Sequence, residues 1–431
     1  MVNPPIALVV PKARKGEVSA AGTPGSSGRK AKLRPHNAPS RVYDSSPERL
    51  NMNALLLRRA RLASAQSTGA PAPADPSAAA ITETKLWRLR EPNSRRLYSV
   101  VRIKTRGGLN GYGECAHVGS EELVRGAQII QGKAATSYEV LDRQLAATPA
   151  LQPGVNMALL DILGKIAKAP TYQVLGGPTR HKARVLTTLE GATDADLLTS
   201  LNRSKALGYR AFIVPLPLAL YRNNGQAFAK AVLARLETLR SAAGENADFV
   251  LDGAAHLTAG DAAQIAAAVE RFHLLWFDEP SLDWNRKVAA RVSNETVTPV
   301  GFGRTAKAGD FQELLREQAI DILRPSINQH GIARMRRLAI LAEPYYTAIA
   351  PYHDGGPIGT VAALHLSAAV PNFFIQQVPA TNNDKDRAMR EQIIRRPEVK
   401  LTDGFTELPT GHGLGINVDE DALIRYEERP A

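Results

Sequence analysis

The sequence predicts an α/β protein in which eight parallel strands, each followed by a helix, close into a (β/α)8 barrel of the TIM type. Two patterns support this prediction. From residue 179 to residue 385, short apolar runs alternate with amphipathic segments of helical period, as in a parallel sheet covered by helices. From 81 to 178, strand-like alternation is followed by helical spacing, which indicates a smaller α+β domain.

The α+β domain begins with strands. The segments "TETKLWRLR" and "RRLYSVVRIKTRGGLNGYGE" alternate apolar with polar residues, and the turn-forming pair Pro92 and Asn93 separates them. Three segments of helical spacing follow, and the last has apolar residues at positions 155, 158, 159, 162, 163 and 166. A small antiparallel sheet followed by helices is therefore expected.

The barrel strands are expected in eight apolar runs. These runs are "ARVLTTLE", "AFIVPLP", "DFVLDG", "LLWFDEP", "TPVGFG", "IDILRPS", "YTAIAPY" and "FFIQQV". Parallel strands buried on both faces have this continuous apolar character. A doubly wound open sheet is the structural alternative, but no G-x-G-x-x-G follows the first strand to indicate dinucleotide binding.

Charge and composition limit the possible functions. Residues 1–80 hold twelve Lys or Arg and four Asp or Glu, and so carry +8 of the net charge of +12. We interpret them as a disordered basic leader with a short helix near 47–65, and we expect no specific nucleic-acid binding. No segment has the roughly 18 consecutive apolar residues of a membrane span. The single cysteine, Cys115, excludes an internal disulfide and a multi-cysteine zinc site.

A cytoplasmic location is expected from the same composition. Arg58 and Arg59 weakly resemble a twin-arginine export signal, but the apolar region that such a signal needs does not follow them.

Six fragments carry a resemblance to a known family. They are "GLNGYGE" (108–114), "MALLDILGKIAKAPTYQVLGG" (157–177), "FVLDG" (249–253), "WFDEP" (276–280), "GGPIGTVAALHL" (355–366) and "GLGINVDEDAL" (413–423). In this order they resemble the mandelate racemase, muconate lactonizing enzyme and sugar-acid dehydratase branches of the enolase superfamily. The resemblance extends from about residue 81 to residue 427.

The resemblance implies a fold and a chemistry. It implies that residues 81–178 and 386–431 form a capping domain over the C-terminal mouth of a barrel at 179–385. In that family, Mg²⁺ held by three carboxylates on successive strands stabilises an enediolate, which forms when a base removes a proton beside a substrate carboxylate. A small hydroxy acid or sugar acid as ligand and a homo-oligomeric assembly are likewise implied.

Two of the three family metal positions are acidic in this chain. The motifs fall at Asp252 and at Asp278, which lies 26 residues later, but a further 26 residues lead to Arg304. A guanidinium has no lone pair to offer Mg²⁺. These three residues sum to a charge of −1, whereas three carboxylates would give −3. We predict that the fork of Arg304 pairs with Asp252 and Asp278, and that Mg²⁺ binding is lost or weak.

The catalytic bases of the family are also replaced. Ile213 and Pro215 occupy the positions of its Lys-x-Lys motif, and Ser326 occupies the position of the aspartate in its Asp-His dyad. Tyr352 falls in the usual histidine register, with His353 one residue beyond it. Because a slip of one residue on a strand reverses the face of a side chain, the sequence leaves open which of the two faces the mouth.

The remaining candidates are few. Tyr352, His353 and Arg304 are kept as candidate catalytic residues, with Arg304 as an electrophile in place of the metal. His256, four residues after Asp252, is a further candidate that would reach in from a loop. Glu114 in "GYGE" is expected to form a polar contact between cap and barrel rather than to act as a general base.

Three functions remain open. The first is a lyase or racemase with altered, metal-free chemistry on a sugar acid. The second is a non-catalytic relative that serves as a carbohydrate-acid binder, an oligomer partner or a scaffold, and the replacement of five family positions on four strands favours it. The third is polyanion binding by the basic leader, with the barrel as its platform.

Overall fold

The computed structural model describes residues 76–221, 225–281, 286–304, 306, 308–381, 383–396 and 398–428. All of these residues belong to one compact unit. The predictions for residues 1–75, including the short helix near 47–65 and the Arg58 and Arg59 pair, lie outside the described residues.

Residues 76–80 were assigned to the disordered leader, and here the structure differs from the prediction. Pro76–Ala79 form a 3-10 turn, and Ala80 forms an antiparallel bridge with Ala134. The Gly107 N–H donates to the Ala78 carbonyl at 2.8 Å. These contacts are made by the backbone, so the Pro- and Ala-rich composition of the segment gave no sign of them.

The α+β domain has a three-stranded antiparallel sheet in the order β1-β2-β3. Its elements are β1 (Ile81–Arg90), β2 (Leu97–Thr105), β3 (Asn110–Cys115), α1 (Ser120–Ile130), α2 (Tyr138–Gln144), α3 (Gln152–Ile166) and α4 (Thr171–Val174). Helix α3 packs directly on β3 because two glycines leave room for its backbone. A Cβ at Gly111 would lie 2.1 Å from the Ala158 carbonyl oxygen, and one at Gly113 would lie 1.9 Å from that of Gly154.

Eight parallel strands follow, each at the position of one predicted run. They are β4 (Lys182–Thr188), β5 (Ala211–Pro215), β6 (Asp248–Asp252), β7 (Trp276–Asp278), β8 (Val300–Phe302), β9 (Ile322–Leu323), β10 (Ala348–Ile349) and β11 (Gln376–Gln377). The helices after them are α5 (Asp194–Ala206), α6 (Gly225–Ala243), α7 (Ala259–Ala268), α8 (Arg286–Asn294), α9 (Ala308–Arg316), α10 (Ile327–Ala342), α11 (Pro357–Ala369) and α12 (Asp384–Ile394).

The strand pairing connects all eight strands. Parallel pairs run without interruption from β4 to β10, and β11 pairs with β4. Between β10 and the approach to β11, Ile349 forms a parallel bridge with Phe373, and the Phe374 N–H donates to the Ile349 carbonyl at 2.9 Å. The pairing therefore returns to its starting strand, as it does in a (β/α)8 barrel.

Side-chain alternation along the strands decides what faces the barrel mouth. One face of the strands forms a small interior cluster that includes Val250, Trp276, Ile322 and Ala350. The other face packs against the helices in an extended hydrophobic cluster. Because side chains alternate with a period of two, the residues two positions further on face the C-terminal mouth. These residues are Asp252, Asp278, Arg324 and Tyr352.

The last segment of the chain returns to the first sheet. The hairpin β12 (Leu401–Thr402) and β13 (Phe405–Glu407) pairs with β4, and α13 (Glu420–Arg425) follows. Arg102 of β2 forms an ion pair with Glu420 at 2.8 Å, and Leu89 of β1 bridges Glu427. Among the described helices, none combines the length and the apolar character needed to cross a membrane.

Candidate functional site

Arg304 lies at the C-terminal end of the barrel and pairs with Asp252. Asp252 is the last residue of β6, and Arg304 follows β8 by two residues. The Nη1 atom of Arg304 donates to Asp252 Oδ2 at 3.0 Å, and Nη2 donates to Oδ1, which makes the contact bidentate. Asp252 Oδ1 also accepts from the Ala254 N–H at 2.8 Å. Both oxygens of this carboxylate are therefore bonded within the protein.

Asp278, the last residue of β7, is completely buried and contacts two arginines. Its Oδ1 accepts from Trp276 Nε1 at 2.9 Å and lies 3.1 Å from Arg324 Nε. Its Oδ2 lies 3.3 Å from Arg324 Nε and 3.5 Å from Arg304 Nε. Arg304 thus contacts both aspartates, but its fork is directed at Asp252, while Asp278 is bonded chiefly by Arg324.

Arg324 is a site residue that was not identified from the sequence. Its side chain is completely buried, and besides Asp278 it donates to the Ala350 carbonyl at 2.8 Å and to Gln377 Oε1 at 2.5 Å. The signal for it was present in "IDILRPS", because Arg324 lies two residues after the inward-facing Ile322. The family position that the resemblance indicates on this strand is Ser326, two residues further on.

Glu279 fixes the turn that carries Arg304. Its Oε1 accepts from the Gly303 N–H at 2.7 Å and from the Arg304 N–H at 2.8 Å. Gly303 has a φ of 140°, and a Cβ there would lie 2.9 Å from the Arg324 carbonyl carbon, so the turn requires glycine. Burial, together with Asp278, raises the pKa of Glu279 to about 7. Glu279 therefore positions the backbone from which Arg304 reaches Asp252.

The charge of Arg304 is held by its acidic neighbours. Burial lowers the pKa of Arg304, but Asp278 and Asp252 outweigh this effect and raise it above its ordinary value. The guanidinium is therefore permanently charged in this site.

Tyr352, rather than His353, contacts the arginines. The ring centroid of Tyr352 lies 5.4 Å from Arg304 Cζ and 5.7 Å from Arg324 Cζ, within the range of cation–π contacts. Its hydroxyl donates to Asp354 Oδ2 at 2.9 Å. Burial and Asp354 raise the pKa of Tyr352 above its usual range, so the phenol keeps its proton at neutral pH.

His353 is buried where the α+β domain meets α11. It is completely buried, and its Nε2 donates to the Gly356 carbonyl at 2.8 Å. Beside it, Glu114 of β3 accepts from the N–H groups of Gly356 at 2.6 Å and Gly359 at 3.1 Å. Glu114 thus forms the cap-to-barrel contact that was expected of it. Burial and Arg390 lower the pKa of His353 to about 4, and burial raises that of Glu114 to about 7.

The remaining family positions and His256 place no base at the barrel mouth among the described residues. Ile213 is buried in the barrel interior, and Pro215 pairs in register with Asp252 at the end of β5. Ser326 is buried at the start of α10 and bridges Tyr352 through the backbone. His256 is exposed on the loop that follows β6.

The donor atoms at the mouth do not fit Mg²⁺. This ion requires several oxygen ligands in octahedral geometry. Both oxygens of Asp252 and Oδ1 of Asp278 accept from protein donors, and Asp278 Oδ2 faces two guanidinium groups. Within the described ranges, no group of three or more His, Cys, Asp and Glu side chains is placed to hold a metal ion. The residues present therefore form an internal ion-pair cluster instead of a ligand set.

Fold and site together define a capped (β/α)8 barrel with acidic residues at the ends of its third and fourth strands. The family described as enolase C-terminal domain-like matches residues 221–422, and the mandelate racemase / muconate lactonizing enzyme N-terminal domain matches residues 90–176. The chain belongs to the enolase superfamily, which confirms the resemblance read from its sequence.

Relatives and solved structures agree with this assignment. The D-galactonate dehydratase of Ralstonia pickettii is 29% identical over 281 residues, which cover 64% of this chain and 74% of that protein. The D-xylonate dehydratase of Haloferax volcanii is 28% identical over 284 residues, covering 63% and 68%. The structure of a mandelate racemase/muconate lactonizing enzyme from Sulfitobacter sp. is 25% identical with a TM-score of 0.72 and covers 81% of this chain and 96% of that one.

A similar protein from Rubrobacter xylanophilus is 25% identical with a TM-score of 0.73, covering 82% and 98%. These structural similarities confirm the predicted fold class.

Proposed function

We propose that this chain is a non-catalytic member of the enolase superfamily, in which dehydratase-like, Mg²⁺-dependent proton abstraction has been lost. The observation that carries this proposal is the bidentate pair between Arg304 and Asp252. It places a fixed positive charge on a carboxylate that the family uses as a metal ligand. Without a dication, the negative charge of an enediolate would develop unopposed.

The absence of a suitable base at the candidate positions supports the same proposal. A general base must be within hydrogen-bond reach of the proton and must be able to accept it near neutral pH. Tyr352 keeps its proton because its pKa is raised, and His353 uses Nε2 to bond the Gly356 carbonyl within a buried contact. Neither residue meets both requirements.

Altered, metal-free catalysis with Arg304 as electrophile is the second candidate, and the charges argue against it. A guanidinium that is already paired with Asp252 has little positive charge left to stabilise an anion. An incoming substrate carboxylate would also have to displace Asp252 and leave it unpaired in a site where its side chain is only 15% exposed.

The named relatives indicate which ligands to test. Because several relatives are sugar-acid dehydratases, we propose small sugar acids or hydroxy acids as the ligand class of the barrel mouth. A non-catalytic barrel would bind such an acid without turning it over, or would serve as a scaffold. The expected homo-oligomeric assembly, the cytoplasmic location and the domain boundaries 81–178, 179–385 and 386–431 remain predictions.

The experiment is a turnover screen of purified protein against a library of sugar acids, with added Mg²⁺ in one arm and EDTA in the other. A D-galactonate dehydratase such as the Ralstonia pickettii relative serves as the positive control. We expect no dehydration or racemisation in either arm, and a thermal shift with any acid that binds. Turnover that requires Mg²⁺ and is abolished by EDTA would show that the proposal is wrong.

A further inference from the structure

The two aspartates of the mouth each have an arginine of their own. Arg304 forms a bidentate pair with Asp252, and the Nε atom of Arg324 donates to Asp278. Asp252, Asp278 and both arginines therefore sum to a charge of zero, whereas Asp252, Asp278 and Arg304 without Arg324 sum to −1. Arg324 thus cancels the negative charge that would otherwise attract a cation to these residues.

Arg324 is held in place independently of Arg304. Its Nη1 and Nη2 atoms donate to the Ala350 carbonyl and to Gln377 Oε1, on the seventh and eighth barrel strands or directly after them. Its guanidinium also lies 5.1 Å from the Trp276 ring centroid. None of these contacts involves Arg304, so replacing Arg304 leaves the positive charge beside Asp278 unchanged.

We infer that Arg324 is a second determinant of cation exclusion, and that a divalent cation site opens only when Arg304 and Arg324 are both replaced. With Arg304 alone replaced by an acidic residue, three carboxylates would be present at the family positions. One of them, Asp278, would still share its oxygens with a guanidinium at 3.1 and 3.3 Å. A dication entering there would be repelled by a unit charge a few ångströms away, and that repulsion is strong in a buried site.

The test compares Arg304→Glu with Arg304→Glu/Arg324→Gln. Glutamine at 324 removes the charge while its amide can still donate to one of the buried acceptors. Binding of Mn²⁺ is measured by electron paramagnetic resonance of the free ion, and binding of Mg²⁺ by calorimetry, without any substrate. We expect the double variant to bind at least about tenfold more tightly than the single variant, which corresponds to about 1.4 kcal/mol.

The matched control is Arg304→Glu/Arg210→Gln. Arg210 forms an exposed ion pair with Asp403, with side-chain exposures of 40% and 78%, so this variant has the same net charge as the double variant without a change at Asp278. We expect its Mn²⁺ affinity to equal that of Arg304→Glu. A gain equal to that of the Arg324 variant would assign the effect to net charge and overturn the inference.

Two other results would also overturn it: stoichiometric Mn²⁺ binding by the unaltered protein, or by Arg304→Glu alone with a dissociation constant of about 10 µM or tighter. The inference is also overturned if the double variant folds and binds Mn²⁺ no more tightly than Arg304→Glu does. Folding is checked by circular dichroism, and tight binding by Arg304→Glu overturns the inference even where Arg324→Gln does not fold. Because cation affinity is measured without turnover, this inference can fail while the proposed function stands, and the reverse also holds.

Discussion

The ion pair between Arg324 and Asp278 is expected to contribute strongly to stability, and Arg324→Met measures it. Both side chains are completely buried, so the variant leaves Asp278 with only Trp276 and the more distant Arg304 Nε at 3.5 Å. Breaking a buried pair by removing one partner costs about 3–5 kcal/mol. The acceptors on Ala350 and Gln377 also lose their donors, and each such loss adds about 1 kcal/mol or more.

We therefore expect Arg324→Met to lower the free energy of unfolding by about 5–7 kcal/mol, a large part of the 5–15 kcal/mol typical of a folded protein. The assay is urea unfolding followed by far-UV circular dichroism. Adding Asp278→Leu removes the carboxylate left without its partner, and the double variant is expected to recover about 2 kcal/mol relative to the sum of the single changes.

The control for this prediction is Arg210→Met. Arg210 pairs with Asp403 at 3.0 Å in an exposed position, and such pairs contribute about 0–1 kcal/mol. If Arg324→Met costs no more than this control does, the reasoning about the buried pair is refuted. A sum of single effects equal to that of the double variant would show that the two side chains are not coupled.

Three further outcomes concern the contact between Glu114 and α11. Burial raises the pKa of Glu114 to about 7, so the folded state binds its proton more tightly than the unfolded state does. The stabilisation from this proton is complete below about pH 4.5 and is lost as the pH rises to about 7. Over this range the free energy of unfolding of the unaltered protein is expected to fall by about 3 kcal/mol relative to that of Glu114→Gln. Urea unfolding at about pH 5 and about pH 8 measures this, and parallel pH profiles would contradict it. Gly359→Ala would place a Cβ 2.4 Å from His353 Cε1 and 2.7 Å from Glu114 Oε1, and is expected to cost about 2 kcal/mol or more. In its control, Gly260→Ala, the added Cβ meets no other part of the protein within 4 Å, so this variant is expected to be neutral or to stabilise by up to about 1 kcal/mol in the same assay. Because the pKa of His353 is lowered to about 4, its ring nitrogens are expected to keep the NMR chemical shifts of a neutral imidazole between about pH 5.5 and pH 8, and protonation of the ring near pH 6.5 would contradict this.

Much of the fold could be predicted from the sequence because its elements depend on local patterns. Each of the eight apolar runs overlaps a barrel strand, and the helical segments between them are helices. The contact between Arg304 and Asp252 was also predictable, because equal spacing along a repeated strand and helix unit brings residues to the same end of the barrel. Side-chain alternation, applied to Ile322 in the same way, would have identified Arg324.

The choice between Tyr352 and His353 could not be made from the sequence, because it depends on how the chain leaves a strand. Tyr352 continues the inward alternation from Ala350 and reaches the two arginines. His353 turns away, and its position is stabilised by the Gly356 carbonyl, in a turn that leads into α11 and that Glu114 of a distant segment holds. A pattern of apolar residues contains no information about that turn. Residues that continue the strand alternation, such as Tyr352, could therefore be assigned to the mouth. The position of His353 depends on a tertiary contact that the sequence pattern does not contain.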